Sequence, residues 1–212
     1  MPAAESQFTS IVAKAKGLAT SVWGRAWCIN LDRYSYYAGR LPQGRTLLRR
    51  GQVQSLNITP GLVLAQVDDE RSHKVSIRLT PCEPERWAQL RERCSNGVDS
   101  LLDLLQGRLS PSVMALMTDS ESGLFPEPSE IRCVCTCIDD ADLCKHAAAA
   151  LYGVGIMLDT RPELLFVLRE VVAAELVKAG MTCTEVGDIE GQDLADIFGF
   201  EMISPVTDAP LS

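Results

Sequence analysis

The sequence predicts an α+β fold, a small antiparallel sheet packed by helices. Three observations point to it. Residues 46–79 hold short β-rich runs that alternate with a period of two, and helical periodicities lie before and after them. Residues 131–137 then read as a strand with cysteines at alternate positions. That strand leads into "KHAAAALYGVG", a run of small residues suited to a tightly packed helix.

Phe8, Ile11, Val12, Ala15, Leu18 and Ala19 recur at helical spacing, so Ser6–Thr20 is expected to form an amphipathic helix. The pattern resumes with Trp23, Trp27, Leu31 and Tyr34 on one face, and "AGRLPQGRT" reads as a Gly/Pro-rich loop. "TLLRRG", "VQSLNI", "LVLAQV" and "KVSIRL" are punctuated by Gly51, "TPG" and "DDERS", the pattern of a three- or four-stranded meander. "TPCEPERWAQLRERC" starts a helix that places Trp87, Leu90 and Cys94 on one side. Val98, Leu101, Leu102, Leu104 and Leu105 make another, and "SPSVMALM" a third, with Ser110 as cap and Pro111 in the first turn.

"TDSESGLFPEPSE" is a loop ahead of the cysteines. A helix is expected from about Leu143 to Gly153. "RPELLFVLREVVAAELVKAG" reads as one further helix stopped by Gly180, and a short helix near Gln192–Phe198 precedes a loose tail. The expected units are therefore an N-terminal helix (1–22), a basic helix with the small sheet (23–95), a helical middle (96–122), the cysteine unit with its following helix (123–180), and the C-terminal segment (181–212).

Composition narrows the class. The chain has 212 residues, enough for one compact domain or two small ones. No run of about 18 apolar residues exists, so no membrane span is expected. "MPAAESQFTS" lacks the basic and apolar regions of a secretory signal, so the expected location is cytoplasmic, where thiols stay reduced. Eight cysteines there must be buried hydrophobes, reactive thiols or metal ligands. The net charge of −8 is unevenly divided: residues 1–95 carry 14 Lys/Arg against 8 Asp/Glu, and residues 96–212 carry 6 against 20. Nucleic-acid contact must therefore be considered for each half separately.

Cys135, Cys137, Cys144 and His146 form C-x-C-x6-C-x-H. Three thiolates and an imidazole are a full tetrahedral set for Zn2+, the mark of a structural site. Cysteines at alternate strand positions share a face. Cys144 and His146 cannot both be mid-helix ligands, but they converge if Cys144 precedes the first turn and His146 lies within it. The alanines would then give a thin helix face that packs close to the strand carrying Cys135 and Cys137. Cys133 shares that strand face, so the spacing alone leaves Cys133/Cys135 open as the first pair. Cys28, Cys82, Cys94 and Cys183 sit on apolar faces and read as core, and His73, after "DDERS", reads as a solvated turn residue.

Catalysis is not expected. A catalytic zinc keeps a position open for water, whereas four protein donors fill the shell here. The acids Asp139, Asp140 and Asp142 read as a solvated spacer. No Ser/His/Asp set and no phosphate-binding glycine motif is present.

"CTCIDDADLCKHAAAALYGVG" resembles the SWIM zinc finger, whose pattern is C-x-C, a short spacer, then C-x-H running into a small-residue helix. "WGRAW", "GRLPQGRTLLRRGQV", "GLFPEPSEIRC" and "RPELLFVLR" extend the likeness over most of Trp23–Arg169, to bacterial SWIM proteins related to those found beside Snf-type DNA-dependent ATPases. The resemblance implies Cys135, Cys137, Cys144 and His146 as the zinc ligands, with Cys133 left to the core. It also implies a binding role with a Snf-type ATPase or helicase as partner. One departure is Ile138-Asp139-Asp140, where the family often has Pro-Asp-Trp.

Arg25, Arg33, Arg40, Arg45, Arg49 and Arg50 fall in 26 residues with a single acid, Asp32, and with Tyr34, Tyr36 and Tyr37 among them. Arginine forks suit phosphates and tyrosine faces suit bases. Arg25, Arg40, Arg45, Arg49, Arg50, Tyr36 and Tyr37 are thus the candidate DNA contacts. The competing reading pairs these arginines with the chain's own carboxylates and leaves a pure protein adaptor. Neither reading needs a membrane or a small-molecule substrate.

Overall fold

Four strands build one antiparallel sheet in the order β1 (Val53–Thr59), β2 (Leu62–Asp68), β3 (Ser72–Leu79) and β4 (Ile131–Cys135). The computed structural model describes residues 18–94, 97–98, 100–119, 121–139 and 141–181. The expected helix over Ser6–Thr20 lies outside these residues up to position 17, and residues 18–20 are not helical. The helix near Gln192–Phe198, Asp140 and Cys183 also lie outside them. Alternation explains the sheet: Val53, Leu56, Ile58, Val63, Val67, Val75, Ile77 and Leu79 are buried on one face, and their neighbours turn outward. Gly61, at φ +61°, supplies the left-handed residue of the tight β1–β2 turn. The distant β4 joins β3 in register from Leu79↔Ile131 to Val75↔Cys135.

Helices cover the buried face. They are α1 (Val22–Asp32), α2 (Leu41–Arg49), α3 (Pro84–Cys94), α4 (Leu101–Gln106), α5 (Pro111–Met117), α6 (Lys145–Met157), α7 (Leu164–Leu168) and α8 (Ala174–Met181). Side chains of Ser21, Ser100 and Ser110 cap α1, α4 and α5 by accepting from Gly24, Asp103 and Val113 amides. Trp23 and Trp27 are buried, and their indole N–H groups donate to the carbonyls of Leu104 and Leu151 at 2.9 and 2.8 Å. The fold is α+β, as the sequence predicts.

Three boundaries differ from expectation. "AGRLPQGRT" and "TLLRRG" are not a loop and a strand; together they supply α2. Pro42 sits in the helix's first turn, where its missing N–H is no loss, and Leu41, Leu47 and Leu48 are buried. Gly44 does not break the helix but lies at a contact, where a Cβ would come within 2.5 Å of the Ala148 methyl. The expected 143–153 helix runs on to Met157. "RPELLFVLREVVAAELVKAG" is two helices, because the Arg169 carbonyl accepts from the Cys82 amide at 2.9 Å instead of from a helical amide. Glu170 follows in the left-handed region, at φ +55°.

The core helix is α6, buried at every position from Ala147 to Gly155. Ala148 packs on Gly44 of α2, and the helix also contacts β4, the strand that ends in Cys135. On another side, a Cβ on Gly24 of α1 would meet the Gly155 carbonyl at 2.4 Å. The tight packing of three helices thus depends on small residues at two crossings.

Arg169 is fully buried and joins the sheet to the helical layer. Its guanidinium donates to the Thr80 carbonyl and the Glu130 carboxylate, both at 2.7 Å, and Arg86 pairs with the same carboxylate at 3.3 Å. Burial alone would raise the Glu130 carboxyl, but the Arg169 hydrogen bond, the Glu127 amide and the two guanidinium charges together hold it below its ordinary value. Glu130→Ala should destabilise the fold by about 3–5 kcal/mol, because it strands a buried cation. A depressed pKa gives stability above the unfolded value, about 4.3, that is lost as pH falls through the folded one. Urea melts at pH 7 and below pH 4 should therefore show a smaller pH difference in the variant than in the wild type.

Candidate metal centre

Strand alternation, a short turn and a helix start bring four soft or borderline donors together. Cys135 ends β4, and Cys137 follows two residues later on the same side. Thr136 between them is clamped to β3: its amide donates to the Lys74 carbonyl at 3.1 Å, and its hydroxyl accepts from the Lys74 amide at 3.0 Å. Cys144 is the N-cap of α6 with extended backbone, and its sulfur accepts from the Ala147 amide at 3.4 Å. His146 lies in the first turn. The arrangement expected from the spacing, with Cys144 ahead of the helix and His146 inside it, is the one observed.

The ligand atoms of Cys135, Cys137, Cys144 and His146 all lie within 4.8 Å of one another. His146 Nδ1 is 3.8 Å from Cys135 Sγ and 4.0 Å from Cys144 Sγ. Bonds of about 2.3 Å to sulfur and 2.0 Å to nitrogen place tetrahedral S and N donors about 3.5 Å apart and S donors about 3.8 Å apart, so closure of a few tenths of an ångström at His146, and of at most about 1 Å anywhere in the set, would seat Zn2+. The donor set fits this metal in number, softness and geometry. Burial pushes the Cys135 thiol up to about 12 and raises that of Cys144, while it lowers His146. Imidazole is thus already in its ligand form, and the thiols give up protons when metal binds. Cys133, on the same strand face, is half-buried against the core and stays outside the four donors.

Two residues of the β2–β3 hairpin lie against the site, and neither is among the residues the sequence predicts there. Asp69 Oδ2 lies 3.6 Å from His146 Nε2 and 2.5 Å from Lys145 Nζ. With Nδ1 on a metal, the proton belongs on Nε2, a buried nitrogen with no hydrogen bond among the described residues, and Asp69 is the acceptor beside it. His73 is not a solvated turn residue. It lies on β3 with its ring stacked on His146, centroids 4.0 Å apart and planes at 29°. Nothing in the local pattern marks either residue, since only sheet pairing carries the hairpin to the metal.

The basic segment is dispersed. Arg40 pairs with Asp139 at 3.1 Å, and Arg45 with Asp32 at 3.3 Å while lying 5.4 Å from the Tyr152 ring centre. Arg25, Arg33, Arg49 and Arg50 are exposed. Tyr37 is buried, edge-on to buried Tyr34, so neither ring has a face free for a base. The side chain of Tyr36 lies outside the described residues.

Two outcomes test the centre. Cys144→Ser should abolish stoichiometric zinc binding and unfold the α6 end, which far-UV circular dichroism with and without chelator would report. Asp69→Asn should leave the fold intact and weaken zinc about 10- to 100-fold in a chelator competition, the usual cost of losing such a partner.

Residues 119–154 match the SWIM zinc finger family. An uncharacterized protein of Mycobacterium tuberculosis, Rv2102, is 30% identical to the chain over 126 residues, 58% of this chain and 46% of that protein. The match thus spans about half the length of that relative. No solved structure matches the chain. Among the described residues, no helix is long and apolar enough to cross a membrane. The strand end, the spacer and the capped helix start that gather the four donors all fall within the matched segment, and the chain carries a zinc-binding SWIM finger.

Proposed function

We propose that the protein is a non-catalytic, cytoplasmic binding module that acts at DNA together with a Snf-type DNA-dependent ATPase. The observation that supports this is the closed shell: Cys135, Cys137, Cys144 and His146 supply all four tetrahedral positions. A zinc so enclosed offers no position for water and contributes folding energy and a fixed surface. The ATPase partner rests on the resemblance to bacterial SWIM proteins found beside such enzymes.

A second reading, a protein adaptor without nucleic-acid contact, has its own support. Arg40 and Arg45 are engaged with the chain's carboxylates, and Tyr37 is buried. Ile138, next to Cys137, is 100% exposed and Val134, on the open face of the sheet, is 69% exposed, apolar groups suited to a protein partner.

The test is fluorescence anisotropy of the zinc-loaded protein with single- and double-stranded DNA over a salt series, beside the ATPase rate of a Snf-type enzyme with and without it. The expected result is DNA affinity that falls steeply with salt and a changed ATPase rate. A changed rate without DNA binding would select the adaptor, and a null result in both would overturn the proposal.

A further inference from the structure

The open face of the sheet carries a charge pattern that the fold does not explain. Antiparallel register sets Arg78 on β3 directly opposite Arg132 on β4, with Leu62 on the other side of Arg78. Directly opposed residues bring their Cβ atoms about 4.5–5.5 Å apart, and like charges so placed are destabilising. Both arginines are exposed, and neither side chain has a hydrogen bond or ion pair among the described residues. Lys74, four residues before Arg78 and on the same face, is likewise exposed and unpaired through its ammonium. The rest of the face is neutral across Asn57, Leu64, Ser76 and Gln66, and its one strand carboxylate, Asp68, stands beyond Lys74 at the hairpin end.

Resting on the DNA-contacting reading above, we infer that this open sheet face, through Arg78, Arg132 and Lys74, is the surface that holds the nucleic-acid backbone. Two guanidinium forks side by side match the two free oxygens of a phosphodiester, and one bridging anion removes their mutual repulsion. Lys74 extends the track along β3. No aromatic side chain stands on this face among the described strand residues, so bases have nothing to stack on there. The contact is with phosphates and is independent of sequence. The choice of face follows from charge and register together: Arg40 and Arg45 already have carboxylates, and Arg25, Arg33, Arg49 and Arg50, though exposed, lie on no strand, whereas Arg78 and Arg132 are set directly opposite each other by the sheet.

The experiment compares zinc-loaded wild type, Arg78→Gln/Arg132→Gln and Arg49→Gln/Arg50→Gln by anisotropy with double-stranded DNA at 50–200 mM salt, with thermal melts of each. Losing two phosphate contacts should reduce the slope of log K against log salt by about 1.8 and cost roughly 10- to 100-fold in affinity at the low-salt end. Without DNA, the Arg78/Arg132 variant should melt no lower than wild type, since it relieves a repulsion. DNA affinity lost only in the Arg49/Arg50 variant would overturn this surface and leave the DNA reading standing. No binding by wild type at 50 mM salt would overturn both, as would wild-type binding to phosphatidylserine vesicles but not to DNA.

Discussion

The N-terminus of α6 is the point on which the fold depends. Ala147 to Gly155 are all buried, so this helix has no polar face by which solvent fixes its rotation. Small residues on it let α1 and α2 approach closely, but small residues alone specify position poorly, because they fill space without distinctive shape. The zinc donors remove that ambiguity. Cys144 and His146 lie at the helix start, Cys135 and Cys137 at the end of β4, and a metal bound to all four fixes the helix against the sheet. Binding free energy of this kind is folding free energy, since the unfolded chain has no such site.

The second tie is buried and ionic. Arg169 leaves the helical path at its carbonyl, which serves Cys82, and at its side chain, which reaches Thr80 and Glu130. Glu130 stands just before β4, whose far end carries Cys135. The short fourth strand is therefore held at one end by an ion pair and at the other by the metal. In its middle Cys133 packs against the core and Val134, on the open face, is 69% exposed. The same two anchors explain how a strand of five residues joins a meander some fifty residues earlier in the chain.

Much of this was legible because the relevant forces are local. Alternation marked β1 to β3, Ser110 with Pro111 marked α5, and the C-x-C and C-x-H spacings dictated how strand and helix must meet. What failed depended on partners distant in sequence. Gly39, Pro42 and Gly44 read as loop punctuation, yet Gly44 is there for Ala148, a hundred residues away. The run through Arg169 has helical periodicity, and only the Cys82 amide and Glu130 interrupt it. Asp69 and His73 look like hairpin polar residues until pairing of β3 with β4 brings them to His146. Local patterns specify which elements form, and the residues that complete a site are set by which elements become neighbours.

Charge shows the same distinction. Counted along the chain, the basic character belongs to Arg25–Arg50, but in the fold two of those arginines are spent internally and Tyr37 is in the core. Arg78 and Arg132 belong to no cluster in the sequence, being more than fifty residues apart, and become adjacent only through the β3–β4 register. A repulsive pair on an open sheet face costs stability that either residue alone would not. Fold stability alone favours losing one of the two charges, and in the surface inferred above it is the negative charge of a phosphate backbone that would offset their repulsion.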